Sequence, residues 1–110
     1  MEDTEDDERF GVAKSHKRQG NTLYKKGEYV EALARYRQSL VVLDIRDFHR
    51  AWHSKVKQLK VQHHVNCATC LYKLVRGFAD GRLTFTTFAR YNAYNWDLTS
   101  VSTLRTAGKV

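Results

Sequence analysis

His63, Cys67 and Cys70 fall at i, i+4 and i+7, so a helix through them presents one imidazole and two thiols on one side. Those are the donor types of a zinc centre, and His64 stands beside them. A structural zinc site takes four donors, usually as two separated pairs, and the chain has only these two cysteines. Cys67 and Cys70 also have the spacing of a redox pair, but the alternating strand and helix pattern that goes with such pairs is missing. Cysteine packs readily as a small hydrophobe, and that is the reading these residues favour, with no metal and no cofactor expected. No glycine-rich phosphate loop, Ser/His/Asp set or paired carboxylates stand out. Asp44 and Asp47 lie three apart but adjoin arginines, which reads as surface ion pairing. Nothing argues for catalysis, and the chain is expected not to be an enzyme.

The residues around these groups bound the alternatives. The chain has 110 residues, the size of one small domain, with 19 Lys+Arg against 12 Asp+Glu and a formal net charge of +7. Glu2, Asp3, Glu5, Asp6, Asp7 and Glu8 hold half of the acidic groups, so residues 9–110 are strongly basic. Residues 1–8 are expected to be an acidic, disordered leader, too charged to pack. No apolar run approaches the roughly 20 residues of a membrane span. The acidic start does not resemble a secretory signal, so reduced thiols and a cytoplasmic location are expected. The basic remainder suits nucleic acid, an anionic surface or an acidic peptide, and charge alone does not choose.

Proline is absent, which favours long helices over a turn-rich β fold. Phe10, Ala13, His16, Gly20, Leu23 and Tyr24 recur mostly three or four apart, predicting a helix that ends near Gly27. Tyr29, Ala32, Leu33, Tyr36, Leu40 and Leu43 predict a second helix, and the short link makes the two an antiparallel hairpin. Phe48 and Trp52 lie in a basic stretch, 46–60, that either extends the second helix or forms an ordered connection. Val56, Leu59, Val65, Ala68, Leu71, Tyr72 and Val75 predict a third helix. Beyond Arg76 the chain turns rich in threonine and aromatic residues, and Leu83, Phe85 and Thr87 alternate like a short strand. The expectation is therefore an all-α domain over residues 9–76, followed by an irregular tail over 77–110.

The segment Ala13-Lys-Ser-His-Lys-Arg-Gln-Gly-Asn-Thr-Leu-Tyr-Lys-Lys-Gly-Glu-Tyr-Val-Glu-Ala-Leu-Ala-Arg-Tyr-Arg-Gln-Ser-Leu40 resembles a tetratricopeptide repeat. Small residues stand at its contact positions, Gly20, Gly27, Ala32 and Ser39, and large ones at Leu23, Tyr29 and Tyr36. The repeat's usual closing proline is replaced by Asp44, which fits a lengthened second helix. His64-Val-Asn-Cys-Ala-Thr-Cys-Leu-Tyr-Lys-Leu74 resembles the first helix of a following repeat, with Asn66, Ala68 and Leu71 in the family's places. The two units start near Ala13 and Val61, 48 positions apart, against about 34 in the family at large. Immunophilin-type heat-shock co-chaperones lengthen this junction, so the chain resembles a truncated form of their repeat domain. About one and a half repeats are covered.

The resemblance implies an adaptor that binds protein partners. In one branch of the family a groove grips the C-terminal carboxylates of the ninety- and seventy-kilodalton heat-shock chaperones. Lys17, Asn21 and Asn66 match three of that clamp's five positions, and Lys25, Lys26 and Lys73 add positive field nearby. Lysine supplies a cationic donor for a carboxylate, and the amides donate further hydrogen bonds. The other expectation is a basic RNA-binding protein using Arg46, Arg50, Lys55, Lys57 and Lys60. An incomplete repeat array also leaves apolar surface on the third helix, open to a partner, the tail or self-association.

Overall fold

The computed structural model describes residues 2–93, and among them the chain is all-helical with no strand. Helix α1 spans Glu2–Lys25 and α2 spans Tyr29–Asp44. A short 3-10 turn at Arg50–Trp52 leads into α3, His53–Ala79, and α4 covers Phe85–Ala93. Two glycines with positive φ stop the helices: Gly27 (81°) after α1 and Gly81 (74°) after α3. Around Gly27 the Glu28 N–H donates to the Leu23 carbonyl at 3.0 Å and the Gly27 N–H to Tyr24 at 2.9 Å. Arg82 N–H donates to Gly77 in the same way at 2.9 Å. This left-handed closure uses carbonyls that a helix end otherwise leaves unpaired.

α1 and α2 run antiparallel, as their contacts show by pairing later residues of one with earlier residues of the other. Gly20 lies under the Tyr36 ring, and the buried Ser39 hydroxyl donates to the Ala13 carbonyl at 2.7 Å. α3 then folds back on α2, with His63 edge-on to Tyr36 at 6.3 Å and Lys60 paired to Asp44 at 2.7 Å. One core cluster gathers Val30, Ala32, Leu33, Tyr36 and Leu40 of α2 with Cys67, Cys70 and Leu74 of α3. A second holds Ala13, Leu43, Phe48, Val56 and Leu59, with Phe10 and Trp52 against it. The aromatic pair of the basic stretch therefore packs inward; residues 46–52 are an ordered connection rather than more of α2, and 53–60 are the start of α3. Phe48 also carries the Arg9 guanidinium 3.7 Å from its ring centre.

Three expectations need correction. The acidic residues 2–8 are not a disordered leader but the start of α1. Asp6 is 5% exposed and accepts the His49 N–H at 2.9 Å, and Glu5 pairs with Arg46. Two of these carboxylates are thus held by the α2–α3 connection, while Asp7 and Glu8 stay exposed. Residues 77–93 are not irregular either: α3 continues to Ala79, and Phe85–Ala93 is helical rather than strand-like. α4 rests on α2 through Arg90, 3.2 Å from Glu31, and on the end of α3 through Phe88, whose ring centre is 5.9 Å from that of Phe78. The remainder of the tail, 94–110, lies outside the described residues. Finally, Ala68 is exposed and Leu71 half-buried, because α3 turns His63, Cys67, Cys70 and Leu74 toward α2 instead. Gly27 likewise touches no neighbouring helix and serves only the turn, whereas Ala32 and Ser39 are buried and Leu23 and Tyr29 half-buried.

Gly20 is the tightest helix crossing of the hairpin. A Cβ there would stand 2.6 Å from Tyr36 Cε1, and Tyr36 is 3% exposed with little room to retreat. Gly20→Ala is expected to destabilise the chain, since overpacking costs about 1–3 kcal/mol against a helix-propensity gain near 1 kcal/mol. Gly11→Ala, also within α1 but with nothing within 4 Å, is expected to stabilise by about 0.5–1 kcal/mol. Urea denaturation of the two variants beside the parent measures both, and shifts of the same sign would refute the crossing's role.

Candidate functional site

α1 and α3 present two facing polar pairs, each formed by side chains four apart on one helix. Lys17 and Asn21 come from α1, and Gln62 and Asn66 from α3. The Lys17 ammonium donates to Gln62 Oε1, which ties the pairs together at one end. At the other end Asn21 and Asn66 line one open groove of about 240 Å³, with Tyr24, Lys25, Tyr36 and Thr69. The Tyr36 hydroxyl donates to Asn21 Oδ1 at 2.6 Å. That bond holds the carbonyl of the side-chain amide inward and leaves its NH2 to donate elsewhere. Burial, with the Cys70 and Cys67 thiols and Tyr24 adding to it, pushes the Tyr36 hydroxyl up to about 12, so it stays a donor at neutral pH.

Three of the residues singled out from the sequence, Lys17, Asn21 and Asn66, are thus brought to one side of the α1–α3 pair. Lys73 is not among them. It lines a separate groove of about 320 Å³ with Tyr29, Tyr72, Arg76, Gly77, Arg82 and Leu83. Lys25 reaches the groove of the asparagines, whereas Lys26 sits exposed in the turn after α1. Sequence reasoning missed Gln62 and Thr69. Gln62 was findable, because it precedes Asn66 by the same four residues that separate Lys17 from Asn21.

His63, Cys67 and Cys70 lie inside the core behind this groove, 0%, 7% and 0% exposed. No three His, Cys, Asp or Glu side chains converge as a metal site among the described residues. Burial raises both thiols, Cys70 to about 12, which keeps them protonated and away from thiolate chemistry. The His63 ring nitrogen Nδ1 lies 2.6 Å from the Leu59 carbonyl. A carbonyl only accepts, so Nδ1 carries the proton and Nε2 is a bare acceptor, buried without a partner. Burial holds the His63 pKa below the ordinary histidine range. The Leu59 carbonyl pulls the other way, and the charges of Lys17 and His64 push it down further.

The basic stretch 46–60, from the connection into α3, has a different character. Arg46 and Lys60 are already paired with Glu5 and Asp44, and Arg9 donates to the Arg46 carbonyl at 2.6 Å. Arg50, Lys55 and Lys57 remain exposed, with Lys55 5.3 Å from the Trp52 ring centre. No described helix is long and apolar enough to cross a membrane. No family model, curated protein or solved structure matches the chain.

His63 sets a pH dependence of stability. Unfolded, it titrates near 6.5, and folded it titrates lower. Between those values the unfolded chain binds more protons, so stability is full above pH 6.5 and falls as pH drops through it. The slope for one such group reaches about 1.4 kcal/mol per pH unit. His16, lowered by burial and by Arg35, contributes with the same sign. Thermal melts between pH 8 and pH 5 should show this fall, and His63→Leu should flatten it. An unchanged slope in that variant would rule out the buried imidazole as its source.

Proposed function

We propose that the chain is a non-catalytic interaction module of the tetratricopeptide type that binds the C-terminal end of an acidic peptide in the α1–α3 groove. The observation that carries this reading is the pair of helical polar rungs, Lys17 with Gln62 and Asn21 beside Asn66, on one side of the hairpin and its third helix. The Lys17 ammonium attracts the terminal carboxylate and exchanges its Gln62 contact for a charge-assisted one. Asn21, oriented by Tyr36, donates its NH2 to the same carboxylate or to the peptide backbone, and Asn66 does so from the opposite wall. Lys25 lies at the groove edge, where acidic side chains preceding the terminus would pass. By the family resemblance the partner is the tail of a heat-shock chaperone, and the setting is the cytoplasm. With three of the five clamp positions occupied, binding is expected to be in the micromolar range or weaker.

A second reading, an RNA-associated protein, is favoured by the exposed trio of Arg50, in the 3-10 turn, with Lys55 and Lys57 of α3, a helix that has no carboxylate. It differs in its salt law: log affinity for RNA falls linearly with log salt, with a slope set by the phosphates engaged.

Titration of a ten-residue acidic peptide with a free C-terminus separates the two. Lys17→Glu is expected to weaken binding tenfold or more, about 1.4 kcal/mol, and amidating the peptide terminus should weaken it comparably. Equal affinity across parent, Lys17→Glu and amidated peptide would remove the groove assignment, and tight, steeply salt-dependent binding to single-stranded RNA in its place would install the second reading.

A further inference from the structure

α3 is apolar on two sides, and among the described residues only one side is covered. Val56, Leu59, His63, Cys67, Cys70, Leu74 and Gly77 are buried on the side facing the hairpin. The opposite side carries Val61, Val65, Ala68, Tyr72 and Val75, spaced four, three, four and three. All five are exposed, the four large ones by 55%, 58%, 58% and 64%. Alternating steps of four and three form the seam by which one helix takes another into its side-chain holes. At 1.5 Å per residue the seam runs about 21 Å, four turns of a partner helix.

The charge beside this seam selects the occupant. α3 holds Lys55, Lys57, Lys60, Lys73 and Arg76 and no aspartate or glutamate. Lys57 and Arg76 flank its two ends, and Tyr72 shares its groove with Lys73, Arg76 and Arg82. Two copies joined seam to seam would set these cations against one another with no α3 carboxylate between them. Residues 94–110 bring no better match, with Asp97 against Arg105 and Lys109. The acidic start of α1 is no source either, because Glu5 and Asp6 are held by the α2–α3 connection and residues 2–9 contain no apolar residue to fill the seam. A lipid surface would find valine, alanine and one tyrosine, without the Trp, Phe or Leu that anchor interfacial helices.

We propose that the outer face of α3 docks an amphipathic helix of another protein, apolar at four–three spacing and acidic along its flanks. This site is separate from the α1–α3 groove and does not depend on the reading proposed for it. Carboxylates of the incoming helix pair with Lys57 and Arg76, while its apolar residues cover Val61, Val65, Ala68, Tyr72 and Val75.

The test uses the full chain and two designed 21-residue helical peptides with identical apolar seams, one flanked by glutamate and the other by lysine. Fluorescence anisotropy is expected to show binding of the glutamate peptide, weakening as salt is raised, and none of the lysine peptide. Val65→Asp should weaken it at least tenfold, as should Lys57→Glu combined with Arg76→Glu, with helicity by circular dichroism unchanged. Val65→Ala, which leaves α3 a good helix, guards against misfolding and should weaken it severalfold. Failure to bind the glutamate peptide, or equal binding of both peptides, would overturn the proposal. So would a sedimenting dimer, or binding to phosphatidylserine vesicles, that Val65→Asp abolishes, since each names a different occupant.

Discussion

Tyr36 stands where three helices meet, and its ring fits there because residue 20 has no Cβ. The ring lies over the α1 backbone at Gly20, meets His63 of α3 edge-on, and donates its hydroxyl back to Asn21. Packing and polar order therefore pass through one side chain. If the ring moved outward, the α1–α2 spacing, the fit of α3 against α2 and the orientation of the Asn21 amide would all change together. The groove is thus a product of the core behind it: its asparagine is aimed by a buried phenol rather than by solvent.

His63 contributes to the same junction in another way. It fills a fully buried position on α3, yet its Nε2 has no partner, so the imidazole is tolerated only while neutral. Cys67 and Cys70 sit one and two turns further along the same buried side. Their thiols supply small apolar volume where α3 crosses α2.

Much of the hairpin is legible in the residue pattern. The recurrence from Phe10 to Tyr24, the glycine at 27 and the run from Tyr29 to Leu43 mark two helices and their turn. The acidic start misleads because net charge says nothing of what lies opposite: Asp6 accepts the backbone N–H of His49, a partner 43 positions away. α3 misleads for another reason. Val56 and Leu59 belong to its inner side, Val65, Ala68, Tyr72 and Val75 to its outer side, and a list of apolar spacings merges the two. Of the groove, Lys17, Asn21 and Asn66 stand out only through the resemblance of their segments to a tetratricopeptide repeat. Gln62 has no signal apart from its spacing, and Lys73, on the same side of α3 as Asn66, lies two turns or about 10 Å further along, where it lines a different groove.

The tie between the first turns of α1 and the α2–α3 connection sets how the chain comes apart. Glu5, Asp6 and Arg9 grip Arg46, His49 and the Phe48 ring, across the longest stretch between Tyr29 and Ala79 without α-helical backbone bonds. Trypsin seeking Arg46 or Arg50 needs that stretch released and extended in its cleft. Nicking there therefore acts as a clock for the fraying of the amino-terminal turns, and runs faster wherever those turns are loosened without the core being touched.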